Sequence, residues 1–485
     1  MTLTQRDTVH TSEHSSPPPV TPGIVPGIVG VEMWERFSFY GMQAIMVYYL
    51  YATTTGIGLD KSTATALMGA YGASVYLCTL AGGWVADRLY GAERTLLGGA
   101  ITLVIGHLAL SLIPGGWGVA IGLVLVAIGS GFLKTAAITV LGQAFPTDDD
   151  ARRDSAFQLF YLGINVGALL GPLLTGWLAD TRGYHVGFGA AAVLMIIALT
   201  YYLAFRRKFL SPELLRPHNP ITSARPLYAA AAALLVVAGV VTLVATGQIA
   251  LSSLATILLI ATLTVAAALF AQILGSKDVT GPEKRRAIAY LPLFFASCAF
   301  WSVLNQTYGV FAVYSDVRLD RTIGSFTIPA SWTQSLNPLY ILAFSLPLAW
   351  LWRRTPKLNS PAKMGLGVII SGSGLLVMLP FAGSGENSTP FLVLAGATLI
   401  ITLGELLVGP VGMSATTAYA PQAFSTRFSA LYFLTMAIGT ATAGVLSTFY
   451  NPDNASAEAT YFLTCSVTVM AIGLFVFLLS RKLQH

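Results

Sequence analysis

Apolar runs of roughly 20 to 28 residues recur along this 485-residue chain, each long enough to cross a bilayer as a helix. Backbone inside hydrocarbon must satisfy its own hydrogen bonds, so such runs leave little choice but helix. The pattern predicts helices near 27–54, 62–89, 93–113, 116–145, 153–181, 186–207, 226–246, 249–275, 286–315, 326–353, 363–383, 389–419, 424–449 and 459–481. The expected fold class is therefore an all-α polytopic membrane protein with fourteen transmembrane helices. Composition decides against a soluble reading. Only 10% of residues are charged, against about 25% in soluble domains, too few to clothe a water-facing surface. Cys78, Cys298 and Cys465 all sit in apolar runs and read as buried thiols.

The first 22 residues are polar and Pro/Ser-rich and read as a disordered cytoplasmic tail. No cleavable signal peptide is expected, because the first apolar run is too long for one. With the N-terminus inside, 21 of the 27 Lys and Arg residues fall on the cytoplasmic side, as the insertion bias requires. Both termini are then cytoplasmic, and the expected location is the cell (inner) membrane. Basic joints near 206–226 and 275–286 divide the chain into an N-terminal six-helix bundle (23–210), a linker with two extra helices (211–285) and a C-terminal six-helix bundle (286–485). The extra pair carries no interior charge and reads as a lipid-facing insert. Two six-helix halves suggest a transporter with its site between them.

Five charged residues are expected in the hydrocarbon: Glu32, Glu35 and Arg36 on the first helix, Lys134 on the fourth and Glu405 near the middle of run 389–419. Such residues are costly and mark function more often than packing. Salt bridges between packed helices are the competing reading. Glu32, Glu35 and Arg36 share one helix face by their i, i+3 and i, i+4 spacing. That face has surplus negative charge, which Lys134 offsets or a proton neutralises.

GGWVADRLYGAER (82–94) resembles the loop motif of the major facilitator superfamily through Gly83, Asp87, Arg88, Gly91 and Arg94. The glycines permit a tight turn, and Asp87 is expected to cap or bridge to a neighbouring helix. EMWERFSFYG (32–41), FYLGINVGALLGP (160–172), IPASWTQSLNPLYI (328–341) and GELLVGPVGMS (404–414) resemble, in order, the signatures of bacterial proton-dependent oligopeptide transporters. The resemblance spans almost the whole chain and includes the extra helix pair. It implies a major facilitator fold and alternating access.

The resemblance also implies roles. Glu32, Glu35 and Arg36 match the proton-linked motif, with Lys134 as its partner. Tyr40 and Tyr76 match pocket tyrosines, and Phe39 stands where the family usually has another. Asn165 and Asn337 match amides that bond the peptide, and Trp301 matches a pocket aromatic. Glu405 matches the carboxylate that faces the peptide's amino terminus. Tyr432 occupies a position where Trp is common. The departures are specific. Gln43 and Asn305 replace an Arg and a Glu that face each other across the outer gate, and the sequence reads Lys134-Thr135-Ala136 where Lys-Pro-Asn is usual. Gln43 and Asn305 are expected to close the gate by a hydrogen bond between amides. Lys134 and Glu405, one cation and one anion from opposite halves, still suit a zwitterion.

His107 is expected to be a hydrogen-bonded packing residue. Trp350, Trp352 and Tyr450 are expected to be interfacial anchors, and TDDDARR (147–153) a solvated loop. No phosphate loop, metal-ligand spacing or nucleophile elbow appears, so no metal, cofactor or enzymatic activity is expected. The resulting expectation is a monomeric symporter of protons and small peptides, embedded in membrane lipid and not contacting nucleic acid. A same-fold transporter of a drug, organic acid or peptide-like solute is the alternative. A membrane receptor is disfavoured because the loops reach only about 20 residues.

Overall fold

The computed structural model describes residues 22–145, 150–206, 215–354 and 358–483. The expected tail up to residue 21, residues 147–149 of the acidic segment and part of the first basic joint fall outside them, as does the side chain of Trp352; residues 150–153, expected as solvated loop, instead form the first turn of a helix. Sixteen α-helices run through the described residues. The first six are α1 (Val25–Tyr51), α2 (Lys61–Val85), α3 (Ala92–Leu112), α4 (Gly115–Gly142), α5 (Asp150–Arg182) and α6 (Tyr184–Arg206). The extra pair is α7 (Arg225–Ala245) and α8 (Ser253–Gly275). Then come α9 (Gly281–Ala289), α10 (Leu291–Leu304), α11 (Val310–Val317), α12 (Leu336–Arg354), α13 (Ser360–Leu376), α14 (Phe391–Tyr419), α15 (Ser425–Ser447) and α16 (Ala455–Leu479). Eleven described helical spans are long and apolar enough to cross a membrane.

One apolar core is drawn almost entirely from α1–α6 and a second from α8–α16. The halves meet along two seams. At one, α2 packs on α15; at the other, α5 packs on α12 and on the 3-10 turn Ala330–Ser335. The α2–α15 seam depends on two glycines. A Cβ on Gly69 would strike the backbone of Gly444, and one on Gly444 would strike the Cα of Gly69. Small residues at a crossing let backbones approach closely. Helix starts follow local chemistry. Asp60 caps α2 by accepting from the Thr63 N–H at 2.8 Å. Hydrogen bonds from Thr63 hold that carboxyl below its usual range.

Three differences from the sequence expectation have physical causes. The helix expected at 286–315 is interrupted. A 3-10 turn at Asn305–Tyr308 and Gly309 separate α10 from α11, and the Asn305 amide caps α10 by donating to the Trp301 carbonyl at 2.8 Å. Residues 326–335, expected as helix, form the short strand Phe326–Thr327 and then the 3-10 turn. Gly324 turns the chain at φ +62° and Pro329 keeps residue 328 out of helical backbone. Third, the extra pair is not wholly lipid-facing. α7 exposes Leu234, Leu235 and Val236, but α8 docks on both α2 and α15 and buries Ala255, Thr262 and Ala266.

Candidate functional site

The end where α1 begins is called here the near end, and the end where α1 finishes the far end. A cavity of about 270 Å³ lies between the halves. Among its walls are Tyr40, Gln43, Tyr76, Lys134, Asn165, Trp301, Asn305, Asn337 and Glu405, each expected at the site from sequence. Tyr432 is not among them. Its hydroxyl donates to the Gly409 carbonyl at 3.1 Å and its ring packs in the second core. The structure adds Tyr308, whose ring stacks on Tyr40 with centroids 6.2 Å apart, and Tyr161 and Gln334. Tyr308 sits three residues beyond Asn305. The helix break, which sequence reasoning missed, is what turns it inward.

On the α1 side, the expected charge cluster forms. Arg36 Nε and Nη2 both donate to Glu32 Oε1, at 2.9 and 2.8 Å. Arg36 Nε also lies 3.2 Å from Glu35 Oε2. Glu32 and Glu35 are fully buried, where charges persist only when paired and hydrogen-bonded. The expected partner, Lys134, makes no ion pair with either glutamate within 4 Å. Its ammonium faces the Tyr76 ring, 5.1 Å from the centroid. Instead Ser130, one helical turn earlier on α4, donates to Glu35 Oε1 at 2.7 Å. The i, i+4 relation of Ser130 to Lys134 could have signalled this. Thr135, which replaces the usual Pro, donates to the Thr79 carbonyl of α2 at 2.8 Å, and α4 runs unbroken.

On the opposite wall, Asn337 donates to Glu405 Oε2 at 2.6 Å and lies 3.0 Å from Thr402 Oγ1. Asn165 spends its amide on the Tyr161 carbonyl at 2.9 Å. Gln43 and Asn305 line the same cavity, but the expected bond between them is not formed. Asn305 is committed to the Trp301 carbonyl, and Gln43 Oε1 is buried without a partner.

Closure at the far end uses other groups. Tyr51 of α1 donates to Asp316 Oδ2 of α11 at 2.6 Å, and Tyr48 donates to the Ala312 carbonyl at 3.2 Å. Trp332 Nε1 donates to the Leu173 carbonyl at 3.0 Å, Ser335 to Leu169 at 2.8 Å and Gln334 Nε2 to Ala44 at 3.3 Å. Each of these five bonds joins one half to the other. Nothing in their spacing along the chain announced them.

Other expectations shift in detail. Gly91 turns the chain at φ +81° between α2 and α3, as a glycine there permits. Gly83 lies against Thr135. Asp87 binds the segment between the halves, accepting from Asn219 Nδ2 at 3.0 Å, and not a neighbouring helix. Arg88 lies 3.4 Å from Asp87, and Arg94 is exposed on α3. His107 is buried, but neither ring nitrogen has a hydrogen-bond partner, so packing alone holds it. Trp350 is half exposed. Tyr450 is no interfacial anchor. It is buried and donates to Glu458 at 2.7 Å.

The chain's sequence and fold have counterparts among known proteins. The POT family profile matches residues 93–463. The chain belongs to the POT family. It is 37% identical over 461 residues to the uncharacterized transporter YclF of Bacillus subtilis, covering 94% of this chain and 92% of that protein. It is 35% identical over 475 residues to a di-/tripeptide transporter of Lactococcus lactis, covering 93% and 94%. The crystal structure of a POT family transporter in complex with a thioalcohol-conjugated peptide superposes with a TM-score of 0.89, at 30% identity, covering 95% of this chain and 96% of that one. The POT fold seen here therefore accounts for the two bundles and the cavity between them.

Proposed function

We propose that this protein carries di- and tripeptides into the cell together with protons, by alternating access between its two halves. One observation carries the reading: a single cavity places Lys134 from one half and Glu405 from the other, a cation for a carboxylate and an anion for an ammonium. The names of the relatives support a peptide as cargo. In this reading the far end is the outer face, both termini are cytoplasmic and the host is the cell membrane. Residues 23–210 and 286–485 are the moving halves, and 211–285 connects them.

Charge counting supports proton coupling. With both carboxylates ionised, Glu32, Glu35, Arg36 and Lys134 sum to zero. A substrate carboxylate arriving there would leave one uncompensated buried charge, which is costly. A proton on a glutamate leaves the cluster at +1 and matches that carboxylate, while Glu405 matches the ammonium. With the proton and the zwitterion both present, the charge at each end of the site is matched locally. Arg36 lies 3.2 Å from Glu35, and Ser130 donates to it at 2.7 Å. Uptake of a radiolabelled dipeptide into proteoliposomes, with and without an inward proton gradient, tests the assignment. Glu35→Gln is expected to abolish gradient-driven accumulation and retain counterflow. Continued concentration of dipeptide by Glu35→Gln would overturn the coupling role.

The uncharged Gln43 and Asn305 favour a second reading, transport of a peptide-like or other small solute without proton coupling. Thermal stabilisation by that solute and by no dipeptide would select it.

A further inference from the structure

Three buried polar atoms around the cavity have no hydrogen-bond partner among the described residues: Trp301 Nε1, Gln43 Oε1 and Gln334 Oε1. These side chains are 8%, 4% and 3% exposed, and all three line the cavity. Buried polar atoms are nearly always bonded, and leaving one unmet is costly. Three around one space therefore describe a guest. The indole N–H can only donate and a carboxamide oxygen can only accept. The wall offers one donor and two acceptors.

The orientation of Gln334 is fixed by chemistry. Its Nε2 donates to the Ala44 carbonyl of the other half. A carbonyl cannot accept from an oxygen, so Oε1 is the atom left for the guest. The complementary group pairs an N–H with a nearby C=O, which is a peptide unit. Lys134 and Glu405 address the two termini of a zwitterion and leave its middle unread.

We propose that Gln334 reads the N–H of the substrate's peptide bond, and so separates peptides from zwitterions of equal length that lack that N–H. The proposal rests on the peptide-transport reading and deepens it. Gln334 also ties the guest to closure, because its bond to Ala44 exists only while the halves meet at the far end.

Glycylglycine and 5-aminolevulinate form a matched pair of probes. Both carry an ammonium, a carboxylate and a central carbonyl at the same spacing, and a CH₂ replaces the N–H in the second. Each is competed against radiolabelled alanylalanine in proteoliposomes. The wild type is expected to favour glycylglycine by about tenfold, the scale of one buried hydrogen bond. Gln334→Met is expected to shrink that ratio to about twofold or less, mostly by weakening glycylglycine. Gln334→Asn, which keeps a shorter acceptor, is expected to fall between. Thermal melting of each variant in detergent checks that it is folded.

Equal competition by the two probes in the wild type would overturn the proposal. So would a Gln334→Met variant that weakens both equally, which is the mark of a structural role. Failure of alanylalanine and glycylglycine to bind or be carried at all would overturn the peptide reading itself, a pattern distinct from transport without discrimination.

Discussion

Removing the Tyr51 hydroxyl is expected to tip the carrier toward its far-open state. In the closed state that hydroxyl donates to Asp316 across the halves at 2.6 Å. A hydrogen bond to a charged group contributes about 1.5–3 kcal/mol when shielded from water. The Asp316 side chain is 38% exposed and Arg321 lies 3.7 Å away, so solvent lowers the figure toward about 1.4 kcal/mol. That amounts to about a tenfold change in the ratio of far-closed to far-open molecules. The bond exists only when the far end is shut, so the whole effect falls on that equilibrium. Ser331 reports on it well. It is 4% exposed beneath the far rim and lines a second cavity of about 470 Å³ there. A Ser331→Cys reporter, with Cys78, Cys298 and Cys465 replaced by Ser, is labelled with a membrane-impermeant maleimide. Adding Tyr51→Phe is expected to speed labelling about tenfold while closure dominates. Asp316→Asn should act similarly, and the double variant should add little, since both remove one bond. Unchanged labelling, or fully additive effects, would refute the reasoning.

Three further outcomes are expected. Gly69→Val places a side chain against the Gly444 backbone, so uptake should collapse even where the protein still inserts, as fluorescence-detected size exclusion and uptake assays would show. Glu458→Gln removes the charge that Arg318 meets at 3.2 Å and that Tyr450 and the Gly383 N–H also bond. Breaking such a buried pair costs about 3–5 kcal/mol, and a clear drop in melting midpoint should follow. Lys134→Ala and Glu405→Gln should lose different ends of the substrate. Carboxyl-amidated dipeptides should compete no worse in Lys134→Ala, and N-acetylated ones no worse in Glu405→Gln, relative to their free parents.

What the sequence revealed and what it hid divide along a physical line. Helices such as α3, α4 and α14 were legible because apolar length alone dictates them. Glu32, Glu35 and Arg36 were legible because i, i+4 spacing fixes a shared face. Lys134 was placed near them, yet its ammonium chose the Tyr76 ring, and Ser130 took the glutamate. The i, i+4 spacing put Ser130 on the same face as Lys134, but which of the two meets the glutamate depends on how the helices cross. The interruption at Asn305–Tyr308 was hidden because its four polar residues are flanked on both sides by apolar ones, so apolar length alone reads straight through it, and with it went Tyr308. The far-end bonds were hidden for a different reason. Tyr51 and Asp316 are 265 positions apart, and only tertiary packing makes them neighbours.

The docking of α8 has a mechanical consequence. It leans on α2 from one half and α15 from the other, over the very crossing where Gly69 and Gly444 touch. A rigid rod laid across a joint braces that side and leaves the opposite side to gape. The α2–α15 flank is then the spine of the movement, and the α5–α12 flank is the fore-edge, like a book that opens away from its binding.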